Sequence, residues 1–211
     1  MTYSPNSKTI EDREDGLSVF WGREPDLVLH QTDEEIPHID TYRFPIVENN
    51  ECPLFDLVVY MTGGMSDLIM PKMEDFEEEA KYAEITTHAY GPLMTQSEKT
   101  DFIGWLCGWM AHYPFNQDTY FIPGQTFDWG KPIIPESDMH GFYFANPPFI
   151  DQEKLKSATG TATALIHLVP ISKLEIEFKN TNGTEALLEL FGKEEVNPVF
   201  DLSRKCTLNN R

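Results

Sequence analysis

Cationic side chains are scarce in this chain. Lys and Arg number 16 against 35 Asp and Glu, a formal net charge of −19. A protein that neutralises nucleic-acid phosphates needs clustered Lys/Arg, and no basic stripe or run of positive charge occurs, so nucleic acid and anionic membrane surfaces are excluded as partners. Cysteine is equally sparse. Cys52, Cys107 and Cys206 are odd in number and far apart, which leaves neither a disulfide framework nor a CxxC metal or redox motif and fits a reducing cytosol. Long apolar runs are missing as well: the most apolar stretch, Thr161 to Ile171, is too short to span a bilayer and is interrupted by His167 and Pro170. The start of the chain, Met1 to Lys8, is polar and lacks the apolar segment of a signal peptide. A soluble, cytoplasmic protein is the expectation.

What is present is a folding composition, 40% hydrophobic and 12% aromatic over 211 residues, enough for a sizeable core and one domain. The acidity is uneven. Residues 1–100 carry 21 acidic and 7 basic side chains, net −14, and residues 101–211 carry 14 and 9, net −5. Two acidic runs stand out, Asp33-Glu34-Glu35 and the stretch from Glu74 to Glu79. They read as solvated surface or as a docking face for a basic partner.

Periodicity supplies the elements. A short helix or turn at Leu17 to Trp21 precedes modest strands at Leu27 to His30 and Ile39 to Phe44. The β-branched and aromatic run Phe55 to Thr62 reads as a strand stopped by Gly63-Gly64, and Tyr82 to Tyr90 as another. Between Glu98 and Tyr113 lies the best helix, opened by Thr95 and Glu98 at capping-box spacing and followed by Pro114. Phe102, Leu106, Trp109 and Tyr113 recur on one face that should be buried, and Gly104 and Gly108 argue for close approach to a sheet. Further strands are expected at Tyr120 to Ile122, Gly141 to Ala145 and Ala162 to Val169, with a helix at Thr184 to Phe191. Strands and helices mix without βαβ alternation, so the class is α+β: a central mixed, mostly antiparallel sheet flanked by helices.

No motif specifies an enzyme. Gly63-Gly64-Met65-Ser66-Asp67 invites comparison with a nucleophile elbow, but Leu68 stands where the closing Gly belongs. A turn is the better reading, with Gly supplying unusual backbone angles and Ser/Asp capping local N–H groups. Asp138 and His140 alternate on an expected strand and could face a metal or act as a base pair, yet neither HExxH nor clustered His spacing is present. No phosphate-cradling Gly-rich loop occurs. No cofactor and no metal are therefore expected. The aromatic stretch from Trp105 to Phe127 is core in its helical part, while Phe115 to Phe127, among Pro, Gly and Asn, can present Tyr or Phe at an interface.

Several pieces, in order, resemble the suppressor-of-fused domain family. They are Leu57-Val58-Val59-Tyr60-Met61-Thr62-Gly63-Gly64-Met65-Ser66-Asp67-Leu68, Tyr82-Ala83-Glu84-Ile85, the helix Phe102 to Tyr113, Thr163 to Ser172 with Glu175, Ala186 to Leu190, and Val199 to Arg204. The resemblance covers residues 25–205, with 1–24 expected to pack on that domain and 206–211 to form a tail. It implies an α+β domain with a non-enzymatic role in binding another protein. In the animal members such a domain grips a transcription factor as an added strand, in a cleft closed by a second domain that this chain is expected to lack. Small single-domain bacterial members are associated with immunity proteins that neutralise toxins. Of the family's partner-gripping positions, a tyrosine ending the central helix matches Tyr113, and an aspartate in the next loop falls near Gln125, which is uncharged.

The leading expectation is an immunity-type protein, monomeric or weakly dimeric, that binds a basic toxin through Tyr113, Phe115, Tyr120, Gln125 and the acids Glu77, Glu78 and Glu79. The rivals are a hydrolase or metal enzyme using Asp138, His140 and Ser66, and a homodimeric scaffold.

Overall fold

Seven consecutive buried residues, Leu57–Gly63, form the strand at the heart of the sheet, and their β-branched and aromatic side chains suit a position covered on both faces. The computed structural model describes residues 7–30, 37–45, 57–90, 97–148, 150–159 and 163–209. In chain order these form α1 (Ser7–Trp21), β1 (Leu27–Leu29), β2 (Asp40–Pro45), β3 (Leu57–Gly63), a 3-10 turn (Met65–Asp67), α2 (Glu78–Lys81), β4 (Ala83–Tyr90) and α3 (Ser97–Asn116). Then come β5 (Thr126–Asp128), β6 (Met139–Ala145), α4 (Gln152–Thr159), β7 (Ala164–Ser172), α5 (Lys173–Asn182) and α6 (Thr184–Lys193). Thr95, Cys52 and the run Asp33-Glu34-Glu35 lie outside the described residues.

The strands build one seven-stranded sheet in the order β1-β2-β3-β4-β7-β6-β5. Only β4 and β7 pair in parallel, in the register Ala83↔Ala164 to Thr86↔His167; the other five pairings are antiparallel. The α+β class with a mixed, mostly antiparallel sheet flanked by helices holds. One face packs beneath α3, where Val58, Tyr60, Ile85, Phe142, Phe144, Ile166 and Leu168 meet Leu106, Cys107 and Met110. Alternation sends the intervening residues to the other face. There Tyr42, Phe44, Met61 and Leu165 pack on Leu17 and Phe20 of α1 and Leu155 of α4. Farther along that face, Tyr143, Val169 and Ile171 pack on Ile176 of α5 and on Leu187 and Phe191 of α6.

Several expectations are corrected. Tyr120 to Ile122 is an irregular segment leading into a turn, and the strand is the next one, β5. The helix at Leu17 to Trp21 begins ten residues earlier, at Ser7. Pro114 lies inside α3 rather than after it. In the last turn a proline's fixed φ is helical and its missing N–H removes a single backbone bond, so the helix runs on to Asn116. The helices α4 and α5 were not expected. Helix α5 starts on a capping box in which Ser172 Oγ accepts from Glu175 N at 3.2 Å and Glu175 accepts from Ser172 N at 2.8 Å. Arg204 then clamps the same buried Glu175 carboxylate with two bonds of 2.8 Å, and these hydrogen bonds hold Glu175 below the usual carboxylate range against the effect of burial. That signal is readable in the sequence only as Ser-x-x-Glu, with the arginine 29 residues downstream.

Candidate functional site

Two glycines set how deeply α3 lies on the sheet. A Cβ at Gly104 would come within 2.4 Å of Leu29 Cδ1, and one at Gly108 within 3.3 Å of Thr41 Oγ1. The helix therefore turns its small and slender residues inward. Ile103, Leu106, Cys107, Met110 and Ala111 are the buried stripe. The expectation that Phe102, Leu106, Trp109 and Tyr113 share the buried face is corrected, for Leu106 alone of the four is fully buried. Rotating the stripe by about one residue leaves Trp109 at 37% exposure and Trp105 at 52%. Bulky rings cannot occupy the approach that the glycines permit.

Beyond α3 the chain makes a tight reversal. Gln125 N donates to Ile122 O, with Pro123 at the first central position and Gly124 at φ +92° at the second, the requirement of a type II turn. Gln125 Oε1 also accepts from Ile122 N at 3.2 Å, so its side chain braces the turn that launches β5. That strand is a sheet edge. Phe144 N donates to Gln125 O and Trp129 N to His140 O. By alternation, the N–H and C=O of Thr126 and Asp128 then point away from β6, toward the open side.

The open edge borders a groove of about 380 Å³ lined by Tyr113, Tyr120, Phe121, Gln125, Thr126 and Phe127, with Lys179 and Asn180 of α5 on its far wall. Its rings lock together. Tyr113 stacks on Phe121 at 5.8 Å and meets Phe127 edge-on at 4.8 Å, while Trp109 and Trp129 approach to 4.6 Å. Three of the residues expected at a contact site, Tyr113, Tyr120 and Gln125, are thus brought together. Phe115 is half-buried against the core and does not line the groove.

The acidic run arrives at the same place. Phe76, in its middle, packs on Tyr120 at 5.3 Å, and Lys72 pairs with Asp118 at 2.9 Å, tying the loop before α2 to the loop after α3. Glu74, Asp75, Glu77 and Glu78 are exposed, and Glu79 lies in α2. Glu78 is paired with Lys81 at 3.0 Å. Sequence reasoning flagged the acids and the aromatics separately; what joins them is Phe76, an exposed ring inside a charged run.

The rival constellation does not assemble. Ser66 follows the C-terminal end of β3, whereas His140 lies near the N-terminal end of β6, three strand spacings or about 14 Å across the sheet and at the opposite ends of the strands. His140 sits in a register shift between Met139 and Gly141, so it does not alternate cleanly with Asp138, which accepts from Cys206 N. The Gly63–Asp67 segment is a turn, with Gly64 at φ +118°, but its cap comes from the next strand. Glu84 Oε1 accepts from Gly64 N at 2.9 Å, from Ser66 N at 3.0 Å and from Ser66 Oγ at 2.6 Å, and Thr62 Oγ1 donates to Oε2 at 2.7 Å. Ser66 is a donor to a carboxylate there. Arg13 of α1 contacts Asp67 beside it, at a cavity of about 200 Å³. Burial and then the nearby Glu84 charge push the Asp67 carboxyl up to about 7. Among the described residues, no group of three or more His, Cys, Asp or Glu side chains could hold a metal ion.

These features define a class: an α+β domain on a single helix-covered sheet, in which the edge strand β5 borders an aromatic groove and pairs, among the described residues, with β6 alone. The chain belongs to the suppressor of fused protein (SUFU) family, whose pattern matches residues 36–205. Solved structures agree on the fold. A SUFU homolog from Neisseria gonorrhoeae superposes with a TM-score of 0.62 at 20% identity, covering 96% of this chain and 98% of that one. The Sufu–Fu complex gives 0.65 at 16% identity over 98% and 93% of the two chains. Drosophila Suppressor of Fused gives 0.61 at 12% identity, and this chain covers 55% of its length. No curated protein sequence matches the chain.

Proposed function

We propose that this chain is a non-catalytic protein-binding module of the cytoplasm that takes an extended segment of another protein against β5, with Tyr113, Tyr120 and Phe127 as the anchoring rings. The observation that carries the reading is the open β5 edge beside the aromatic groove. Among the described residues no strand pairs with the side of β5 to which the main-chain groups of Thr126 and Asp128 point, and strand addition draws its affinity from such groups and its selectivity from flanking pockets. A relative of the same fold is known from the Sufu–Fu complex, which is a complex with another protein. The finer part of the proposal is an immunity-type role, in which the partner is a basic toxin. Its support is the excess of acid in residues 1–100 and the placement of Glu74 to Glu78 beside the groove, where opposite charge raises the association rate and selects against acidic competitors.

Co-expression with each adjacent open reading frame, scoring rescue from growth arrest, tests this reading. The expected result is rescue of one frame's toxicity and recovery of that product bound to this chain at low salt. Replacing Glu77, Glu78 and Glu79 by Lys is expected to weaken rescue. Failure of every neighbouring product to bind contradicts the immunity role, and sedimentation as a stable homodimer through the groove favours a scaffold instead.

A further inference from the structure

We infer that the segment docked beside β5 carries an acidic side chain opposite Thr126, its carboxylate received by Lys179, with an apolar residue on either side of it. This rests on the binding role proposed above and names the chemistry of the docking segment. The charge of the groove is the starting point. In a chain with 35 acidic and 16 basic side chains, no carboxylate among the described residues lines the groove, and Lys179 is the one charged residue that does. Lys179 is half-buried, and its ammonium has no ion-pair partner among the described residues. A neutral amide seated there could hydrogen-bond to it, but only a carboxylate supplies the missing counter-charge.

The sheet fixes which side of the segment meets this lysine. Thr126 pairs with Tyr143, which packs on α5 and α6, whereas Phe127 pairs with Phe142 on the face beneath α3. Side chains directly across two strands share a face. A residue added opposite Thr126 therefore points toward Lys179 and Asn180 of α5, and its two neighbours point to the other face, where Phe127 and Tyr113 present their rings. The acids closest along the chain leave Lys179 unmatched. Asp128 shares the Thr126 face about 7 Å farther along β5, but it is exposed and turned back to accept from Gly130 N at 2.7 Å. Glu185 follows Thr184, whose hydroxyl donates to Gly124 O at 3.3 Å, and is exposed outside the groove lining. The acidic run lies on the Tyr120 side through Phe76, and Lys179 on the opposite wall. An exposed charge is screened over about 8 Å at physiological salt, whereas a carboxylate seated against a half-buried ammonium loses that screen. The run thus acts on the partner's net charge as it approaches, and Lys179 on a single residue once the segment docks.

A display library of random nonapeptides, selected on the whole chain at about 0.15 M salt, tests this. The net charge of −19 biases such a selection toward basic peptides, so an acid retained among the binders marks a local preference. The expected consensus is one Asp or Glu with apolar or aromatic residues on both sides. In calorimetry with the best binder as a capped peptide, changing that acid to its amide is expected to weaken binding to the wild type about tenfold and binding to Lys179→Met hardly at all. Lys179→Glu is expected to prefer the same peptide with Lys in place of the acid, and unchanged melting temperatures check that both variants are folded. Binders without an acid bias, the absence of any binder, or an amide penalty that persists in Lys179→Met overturns the inference. If the selected peptides lack the acid yet lose affinity for Thr126→Pro, the binding role of the edge stands and this inference alone falls. Peptides indifferent to Thr126→Pro contradict the edge itself.

Discussion

His88 on β4 and His167 on β7 lie with ring centroids 4.9 Å apart in the sheet interior, 2% and 0% exposed. His167 Nε2 donates to Pro198 O at 2.7 Å, which leaves its Nδ1 as an acceptor, and among the described residues the Nδ1 atoms of both rings have no hydrogen-bond partner. Burial, and for His88 also the neighbouring ring, pulls the pair down to about 3 for His88 and about 4 for His167. Both are neutral in the folded chain at neutral pH. Because these values lie below those of the unfolded chain, the contribution to stability is fully present above about pH 6.5 and is lost as the pH falls from there toward 4. Each histidine costs about 1.4 kcal/mol per pH unit in that window, so at pH 4.5 the pair removes about 5 kcal/mol, comparable to the whole margin of a weakly stable domain. Asp67 acts in the opposite sense, since a carboxyl raised to about 7 adds stability as the pH falls through 7. That term and the other carboxylates are common to wild type and variant, so the informative quantity is their difference. The variant is His88→Phe with His167→Gln, in which Phe fills the ring volume and the Gln amide can still donate to Pro198 O. Urea unfolding followed by tryptophan fluorescence at pH 7 and 4.5 is expected to show the wild type losing about 5 kcal/mol more than the variant. An equal loss in both proteins refutes the reasoning.

A Cβ at Gly141 would lie 1.9 Å from Phe127 O, so Gly141→Ala is expected to drive β5 off β6. The melting temperature should fall by an amount equivalent to about 1–3 kcal/mol, with faster amide exchange confined to residues 124–129 and 139–145. Arg204→Ala leaves the buried Glu175 carboxylate without its clamp and is expected to cost about 3–5 kcal/mol in urea unfolding, whereas Arg204→Lys recovers part of the loss. Cys107 is fully buried and burial pushes its thiol upward, so a thiol reagent should label it no faster than the protein opens globally.

Much of the sheet was legible because strands buried on both faces leave continuous β-branched runs, as at Leu57–Gly63 and Ala164–Ser172. The three-residue strand β5 was not, since Thr126–Asp128 has no pattern long enough to read and is placed by a type II turn and by pairing with β6. Burial on α3 was misjudged because periodicity locates an apolar face without saying which side of it the glycines will press onto the sheet. In the candidate site, Tyr113 and Gln125 come from the family resemblance and Tyr120 from the aromatic stretch after the helix. Trp129 was not, because its contact with Trp109 spans 20 residues and depends on the β5–β6 hairpin. The role of Glu84 was likewise hidden, since a carboxylate on a strand announces nothing about a turn 20 residues earlier.

The most direct test of partner binding at the β5 edge is the affinity of Thr126→Pro for a partner obtained from an adjacent reading frame. Proline at 126 removes an N–H that points away from β6 and no bond within the sheet, so the melting temperature should change little while a strand can no longer dock. The expected result is a loss of at least a hundredfold in affinity, with Thr126→Ala binding like the wild type. Unchanged affinity in a folded Thr126→Pro protein would place the partner elsewhere and contradict the role assigned to this edge.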